Sequence, residues 1–304
     1  MKSGKTKKSM VSRKSWFLKD VRAWLLLIPL VWIFYLFVWR PTVMGGYWSF
    51  FQMKGYKPIE FIGLQNYIQV IKDTQFWPTM LNTVEYVFWS LILGYLPPLI
   101  IAIMINEMVN FKSGFRTMIY LPQIIPAVAV MLMWYFIYYP NNTGLLNSFL
   151  GLFGIEPYGW LNDPNHVIMY VVIEMTWKTF GGTMIMYYAA LQGISRELYE
   201  AATLDGAGIL QRIWNITIPQ ISGLLLLTFV GQIISVFQVL EQPMTMTGGG
   251  PDGASISIGY QLYKYGFVSG RAGHAMALGV IIFVILLVLT VFYFRLEKRV
   301  NENQ

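Results

Sequence analysis

The chain has 304 residues, of which 56% are hydrophobic, 16% aromatic and only 12% charged. That balance excludes an ordinary soluble domain, and the absence of cysteine excludes disulfides, thiol nucleophiles and thiolate metal sites. The net charge of +7 reads as membrane orientation and contact with anionic lipid, without any role for nucleic acid.

The chain opens on a basic segment, residues 1–22, holding Lys2, Lys5, Lys7, Lys8, Arg13, Lys14, Lys19 and Arg22. Within it Ser3-Gly4-Lys5-Thr6 has the end of a phosphate-binding loop without the upstream glycine or strand, so it is read as no nucleotide site. Apolar runs then recur at Ala23–Trp39, Met80–Ile105, Met118–Tyr138, Val167–Leu191, Ile221–Leu240 and Ala275–Phe294. Most approach or exceed the ~20 residues that cross a bilayer as helix, which predicts an all-α polytopic membrane protein with six transmembrane helices. The first run lacks a small-x-small cleavage pattern and is read as a retained span.

The basic start keeps the amino end in the cytoplasm, and six spans return the carboxyl end there, where Arg295, Lys298 and Arg299 follow the last run. The connections 106–117 and 192–220 are then inside, while Tyr139–His166, without Lys or Arg, is outside. The expected organisation is a basic cytoplasmic segment over 1–22, a permeation domain over 23–295 and a cytoplasmic tail over 296–304. Two histidines, His166 and His274, make no metal site, and no Ser/His/Asp set or paired aspartates inside a span suggest bond chemistry.

Pro97-Pro98 in the second run and Pro122 with Pro126 in the third remove backbone hydrogen bonds, which is tolerated where neighbouring helices or a water-lined cavity satisfy the freed carbonyls. In the fourth run Glu174 and Lys178 stand four apart and are expected to pair on one face. In the fifth, Thr228, Gly231, Gln232, Ser235, Gln238 and Gln242 recur at steps of three and four and form a polar stripe on one helix side. Such a stripe serves either interhelical hydrogen bonding or the lining of a path for a hydroxyl-rich solute.

The segment 192–220 interrupts this pattern with charge, alanine and glycine. Ser195 caps a helix that begins at Arg196 with Glu197 in its first turn, Leu198–Leu204 continues it, and Asp205-Gly206-Ala207-Gly208 breaks it. A second short helix over Ile209–Asn215 is expected to end before Pro219, which starts the next span. Glu200-Ala201-Ala202, then Gly206, then Ile216-x-Ile218-Pro219 resembles the EAA loop in permease subunits of bacterial ABC importers. Phe61-Ile62-Gly63-Leu64-x-Asn66-Tyr67, Phe76-Trp77 before Asn82-Thr83, Leu121-Pro122 with Pro126, and Thr247-Gly248-Gly249-Gly250-Pro251 resemble the carbohydrate-uptake branch, which includes the maltose and glycerol-phosphate systems.

The resemblance implies a multi-pass protein of the bacterial cell membrane that pairs with a second related permease, two ATP-binding-cassette subunits and an extracytoplasmic solute-binding protein. It implies no enzymatic activity and no cofactor in this chain, ATP and magnesium being bound by the partner ATPases. By position, Glu200, Ala201, Ala202, Asp205 and Gly206 inherit the role of a coupling helix that enters a groove on the ATPase. Ungapped counting carries the sugar-contacting positions of the maltose-type permease onto Met175, Thr179 and Gly182, onto Gln232, Ser235, Val236 and Val239, and onto Gln123 and Ala127. Val236, Val239 and Ala127 are apolar, so the maltose hydrogen-bond set is not reproduced. The reading is thus a permease subunit of a carbohydrate importer. The alternatives are an ion-driven secondary transporter, which needs an internal repeat and a charged relay, and an intramembrane enzyme acting on lipid-linked sugars, which needs clustered acids or a metal.

Overall fold

A computed structural model of the protein describes residues 13–107 and 112–302. Lys2 to Lys8, the Ser3–Thr6 fragment and the middle of the connection 106–117 lie outside the described residues. In chain order the elements are α1 (Arg13–Phe34), α2 (Arg40–Trp48), β1 (Phe51–Lys54), β2 (Lys57–Phe61), α3 (Gln65–Lys72), α4 (Phe76–Ser90), α5 (Leu96–Glu107), α6 (Lys112–Ile124) and α7 (Ala127–Ile137). They continue with α8 (Leu145–Gly151), α9 (Val167–Gln192), α10 (Arg196–Leu204), α11 (Ile209–Arg212), α12 (Ile218–Gln220), α13 (Ser222–Phe237), α14 (Ile258–Tyr263) and α15 (Ala272–Glu302).

Among the described residues three helical stretches are long and apolar enough to cross a membrane: Trp24–Trp48, Phe76–Glu107 and Ala272–Arg295. The first two pass through single π-helical turns, Tyr35–Trp39 and Leu91–Tyr95. Pro41 and Pro97-Pro98 therefore fall in the first turn of the helix that resumes, where a missing N–H costs little. Pro97-Pro98 is thus accommodated without ending the second helix.

The third and fifth apolar runs are not straight spans. Ser113–Ile124 and Ala127–Ile137 meet at 96°, and Ile209–Gln220 and Ser222–Phe237 at 73°. Pro126 explains the first bend: it has no N–H to extend α6, and the residue before a proline is driven from the helical region. Pro122 stays inside α6. The second bend falls at Ile221 (φ −105°, ψ 10°), two residues beyond the proline where the sequence placed it. Pro219 lies in the first turn of α12, after a π turn at Ile213–Thr217, so the chain runs through it.

The expectation of an all-α chain needs one correction. An antiparallel hairpin, β1–β2, pairs Phe51 with Phe61 and Lys54 with Lys57, turning at Gly55 (φ 59°). Asn66 donates to the carbonyls of Ser49 (2.7 Å) and Phe51 (2.9 Å), and the Tyr67 and Ser49 hydroxyls bond at 2.6 Å, fixing the hairpin to α3. A second joint ties the loop after α13 to α4. Asn82 donates to Gly253 and Ile256, Tyr86 donates to Ser255, and the Thr83 hydroxyl accepts from the Ile258 amide.

The interior divides into three packed groups, around Tyr86, Met131, Val171 and Val236, around Val70, Phe76, Ile258 and Leu278, and around Leu99, Ala102, Met184 and Tyr187. Outside them large apolar side chains face no protein: Leu26 is 82% exposed, Phe37 76% and Met118 70%. A water-soluble monomer does not tolerate apolar surface on this scale, whereas lipid solvates it.

Candidate solute cavity and coupling segment

A cavity of about 810 Å³ opens between α4, α9 and α13. All six residues of the polar stripe line it: Thr228, Gly231, Gln232, Ser235, Gln238 and Gln242. Part of the stripe also bonds protein. The Thr228 hydroxyl meets that of Tyr187 at 3.0 Å, and Ser235 donates to the carbonyl of Gln232 in its own helix at 2.8 Å. Of the positions carried over by resemblance, Met175, Thr179, Ala127 and Val239 also line the cavity, whereas Val236 is fully buried. Gln123 and Gly182 are brought together beside it: a Cβ on Gly182 would run into the Gln123 carboxamide.

The expected Glu174–Lys178 pair is not formed. The Lys178 ammonium donates to the carbonyl of Ile125 at 2.6 Å, at the break between α6 and α7. The Glu174 carboxyl is wholly buried, and neither oxygen has a hydrogen-bond partner among the described residues. The four-residue spacing permits a pair, but an orphan carbonyl at a helix C-terminus is a competing acceptor and wins the cation. Lys178 and Glu241 are the charged side chains of the cavity wall.

At the other end of α9, Ser195 caps α10 by accepting from the Glu197 amide at 3.3 Å. The helix ends as the sequence indicates. Gly206 takes the left-handed conformation (φ 79°) and donates to Thr203, while Ala207 donates to Ala202. These two bonds form a Schellman stop. The following helix is tied back by the Tyr199–Thr217 hydroxyl pair (3.0 Å) and by Arg212 donating to Thr203 (3.3 Å). Glu200, Ala201, Asp205 and Gly206 are exposed and Ala202 half-buried, on the surface of this helix-turn-helix.

The sequence profile of the family described as binding-protein-dependent transport system inner membrane component matches residues 100–302. The chain belongs to this family. It is therefore a transport-system permease, an integral membrane component rather than a catalytic subunit. The permease is 33% identical to the probable ABC transporter permease protein YurN of Bacillus subtilis (strain 168), over 92% of this chain and 97% of that one. It is 30% identical to the trehalose/maltose transport system permease protein MalF of Thermococcus litoralis, over 90% and 93% of the two chains. Its fold matches, with a TM-score of 0.82, 26% identity and 93% and 96% coverage, a crystal structure of a bacterial alginate ABC transporter in complex with an alginate pentasaccharide-bound periplasmic protein.

Several residues of the permease escape a motif search. Tyr95, Thr183, Tyr187 and Glu241 add polar groups to the cavity, but tyrosines among apolar residues read as packing. Gly181 lets α6 approach α9 so closely that a Cβ would strike the Ile119 carbonyl and the Tyr120 Cα. Within the segment 192–220 Leu204 is 89% exposed and Trp214 67%, a signal present in the sequence as apolar residues inside a polar island.

Proposed function

We propose that this chain is the permease subunit of an ATP-driven, solute-binding-protein-dependent importer of a carbohydrate, forming half of the translocation path. The observation that carries the proposal is the cavity of about 810 Å³, whose wall includes a row of hydroxyl and carboxamide side chains along α13 and the bend that follows it. That lining suits a solute bonded through many hydroxyls and held against a few apolar positions. Relatives named for trehalose, maltose and alginate transport support the same class. Thr179, Gln232 and Ser235 would contact the sugar, with Gln123 and Gly182 closing one end of the path.

In this reading the chain crosses the cytoplasmic membrane six times, by three long helices, two bent pairs and α9, which at 26 residues is about 39 Å long. Both termini are cytoplasmic, residues 23–295 form the membrane domain, and 1–22 and 296–304 flank it. Glu200, Ala201, Ala202, Asp205 and Gly206 dock into one of two ATPase subunits, which bind the ATP and magnesium, and a second related permease completes the path. Dimerisation of the ATPases would swing α10, and through its bonds to Arg212 and Thr217 the helices behind it, between inward and outward access.

The test is purification of this chain from its native membrane in mild detergent, mass spectrometry of its companions, and an ATPase assay with trehalose, maltose or an alginate oligosaccharide plus the co-purifying binding protein. An ATPase pair and sugar-stimulated hydrolysis are expected. Recovery of the chain alone, with uptake that follows an ion gradient, would overturn the proposal.

A further inference from the structure

A second cavity lies apart from the first, against the connection Tyr139–His166 and the loop that follows α13. It measures about 320 Å³, and its wall includes Tyr135, Tyr138, Tyr139, Asn162 and Thr247. We infer that this cavity is an outer sugar subsite, which holds one ring of the solute on tyrosine faces before it enters the large cavity. The inference rests on the carbohydrate reading above and adds a site to it.

The lining and the size of the cavity point to a ligand rather than to a packing gap. Tyr138, 3% exposed, closes the inner side of the cavity, its ring packed against Trp160 and Tyr170. Tyr135, 38% exposed, and Tyr139 stand with ring centroids 6.0 Å apart at 73° and offer π faces. A pyranose has an apolar C–H face and a hydroxyl edge; aromatic faces take the first, and the exposed Asn162 carboxamide takes the second. The volume sits at the lower end of the ~300–1,000 Å³ typical of ligand cavities, so it admits a single ring.

The site is also pre-built. Asn147, buried, donates to the carbonyls of Tyr139, Asn141 and Tyr158 and accepts from the Tyr158 amide and the Trp160 indole. Asp163 holds the next turn, accepting from the Tyr158 hydroxyl and bonding His166 at 2.6 Å. Asn162 is thereby fixed between two anchored turns and needs no ordering when a ligand arrives. Position supports the sequence of events. Gln242 lines the large cavity, and Met246, one helical turn further along Pro243–Thr247, lines the small one.

Because the chain has no cysteine, Asn162→Cys introduces a unique thiol at the rim, and Asn142→Cys supplies a control in the same connection away from the cavity. The complete transporter carrying either variant is reconstituted in vesicles, and the rate of maleimide modification of this chain is measured. The probe is maltotriose, trehalose or an alginate trisaccharide, whichever the unmodified complex imports. At about ten times its Kd the sugar slows modification at position 162 about tenfold and leaves position 142 unchanged. Tyr135→Ala, which removes an aromatic face from the wall, weakens that protection. Equal rates at position 162 with and without imported sugar would overturn the subsite. Slowing at both positions by the binding protein alone, with none from sugar, would overturn it in favour of a protein-docking surface. If the unmodified complex imports none of the three sugars, the carbohydrate reading itself fails, a result distinct from both.

Discussion

Lys178 takes up the carbonyl of Ile125, which stands at the C-terminal break of α6 where Pro126 supplies no N–H. A cation there answers both an orphan acceptor and the negative end of a helix dipole. Loss of the bond in Lys178→Met should cost about 1–3 kcal/mol, as for other hydrogen bonds to charged groups. Glu174 makes no bond to Lys178, so a double-mutant cycle of Lys178→Met with Glu174→Gln, read by thermal unfolding in detergent, should give a coupling below about 0.5 kcal/mol. A coupling well above 1 kcal/mol would show that the two side chains meet. The neighbouring glycines make a second residue-scale contrast. A methyl on Gly181 meets the backbone of Ile119 and Tyr120, which cannot move without parting α6 from α9, whereas a methyl on Gly182 meets the far end of the Gln123 side chain, which can swing away. Gly181→Ala should therefore destabilise by about 1–3 kcal/mol and Gly182→Ala by clearly less; the reverse order would mean that Gln123 is locked in place.

The elements differ in how far they could be read from the sequence, and the difference follows from the range of the forces that make them. The helix-turn-helix of residues 192–220 is local: Ser195, Glu197 and Gly206 act within one or two turns, and the helix begins and ends where they put it. Gly206→Val forces a branched residue into the left-handed region at a cost of about 1–2 kcal/mol to the turn. With the stop misplaced, uptake should fall while the chain remains in the membrane; undiminished uptake in Gly206→Val and in Glu200→Ala would remove the coupling role from this turn. The polar stripe is legible for the same reason as far as Ser235, because the periodicity of α13 gathers those members on one side; Gln238 and Gln242, expected on the same helix, lie beyond its end at Phe237 and reach the cavity from the bend that follows. Gln232→Leu with Ser235→Ala should lower sugar uptake at least about tenfold and leave the complex assembled, and an unchanged rate would reduce the stripe to packing. What stayed hidden depends on distant residues. The choice of Lys178 between Glu174 and Ile125 turns on where α6 breaks, and the β-hairpin is short, with alternation too weak to stand out. The family motifs show this most plainly. Asn66, Asn82 and Thr83 read as markers of kinship, yet each is a joint that fastens a loop or hairpin to a helix.

At the scale of the molecule the open question of architecture is whether the pair α6–α7 crosses the bilayer. Its two halves meet at 96°, a geometry that suits either a broken span or a segment that re-enters on the side from which it came. Charge favours a crossing, because Lys112 and Arg116 stand at the start of α6 and the connection that follows the pair, Tyr139–His166, has no Lys or Arg. So does the break itself: its carbonyl is met by Lys178 from a neighbouring helix, as backbone at membrane depth requires. A crossing puts Asn142 outside and Asp205 inside, whereas re-entry puts Asn142 on the same side as residues 106–117. In intact cells a membrane-impermeant maleimide should modify Asn142→Cys and leave Asp205→Cys unmodified, and permeabilisation should expose both. If Asn142→Cys reacts only after permeabilisation, the pair is re-entrant, the count of spans falls to five, and the outer sugar subsite loses its access to the outside.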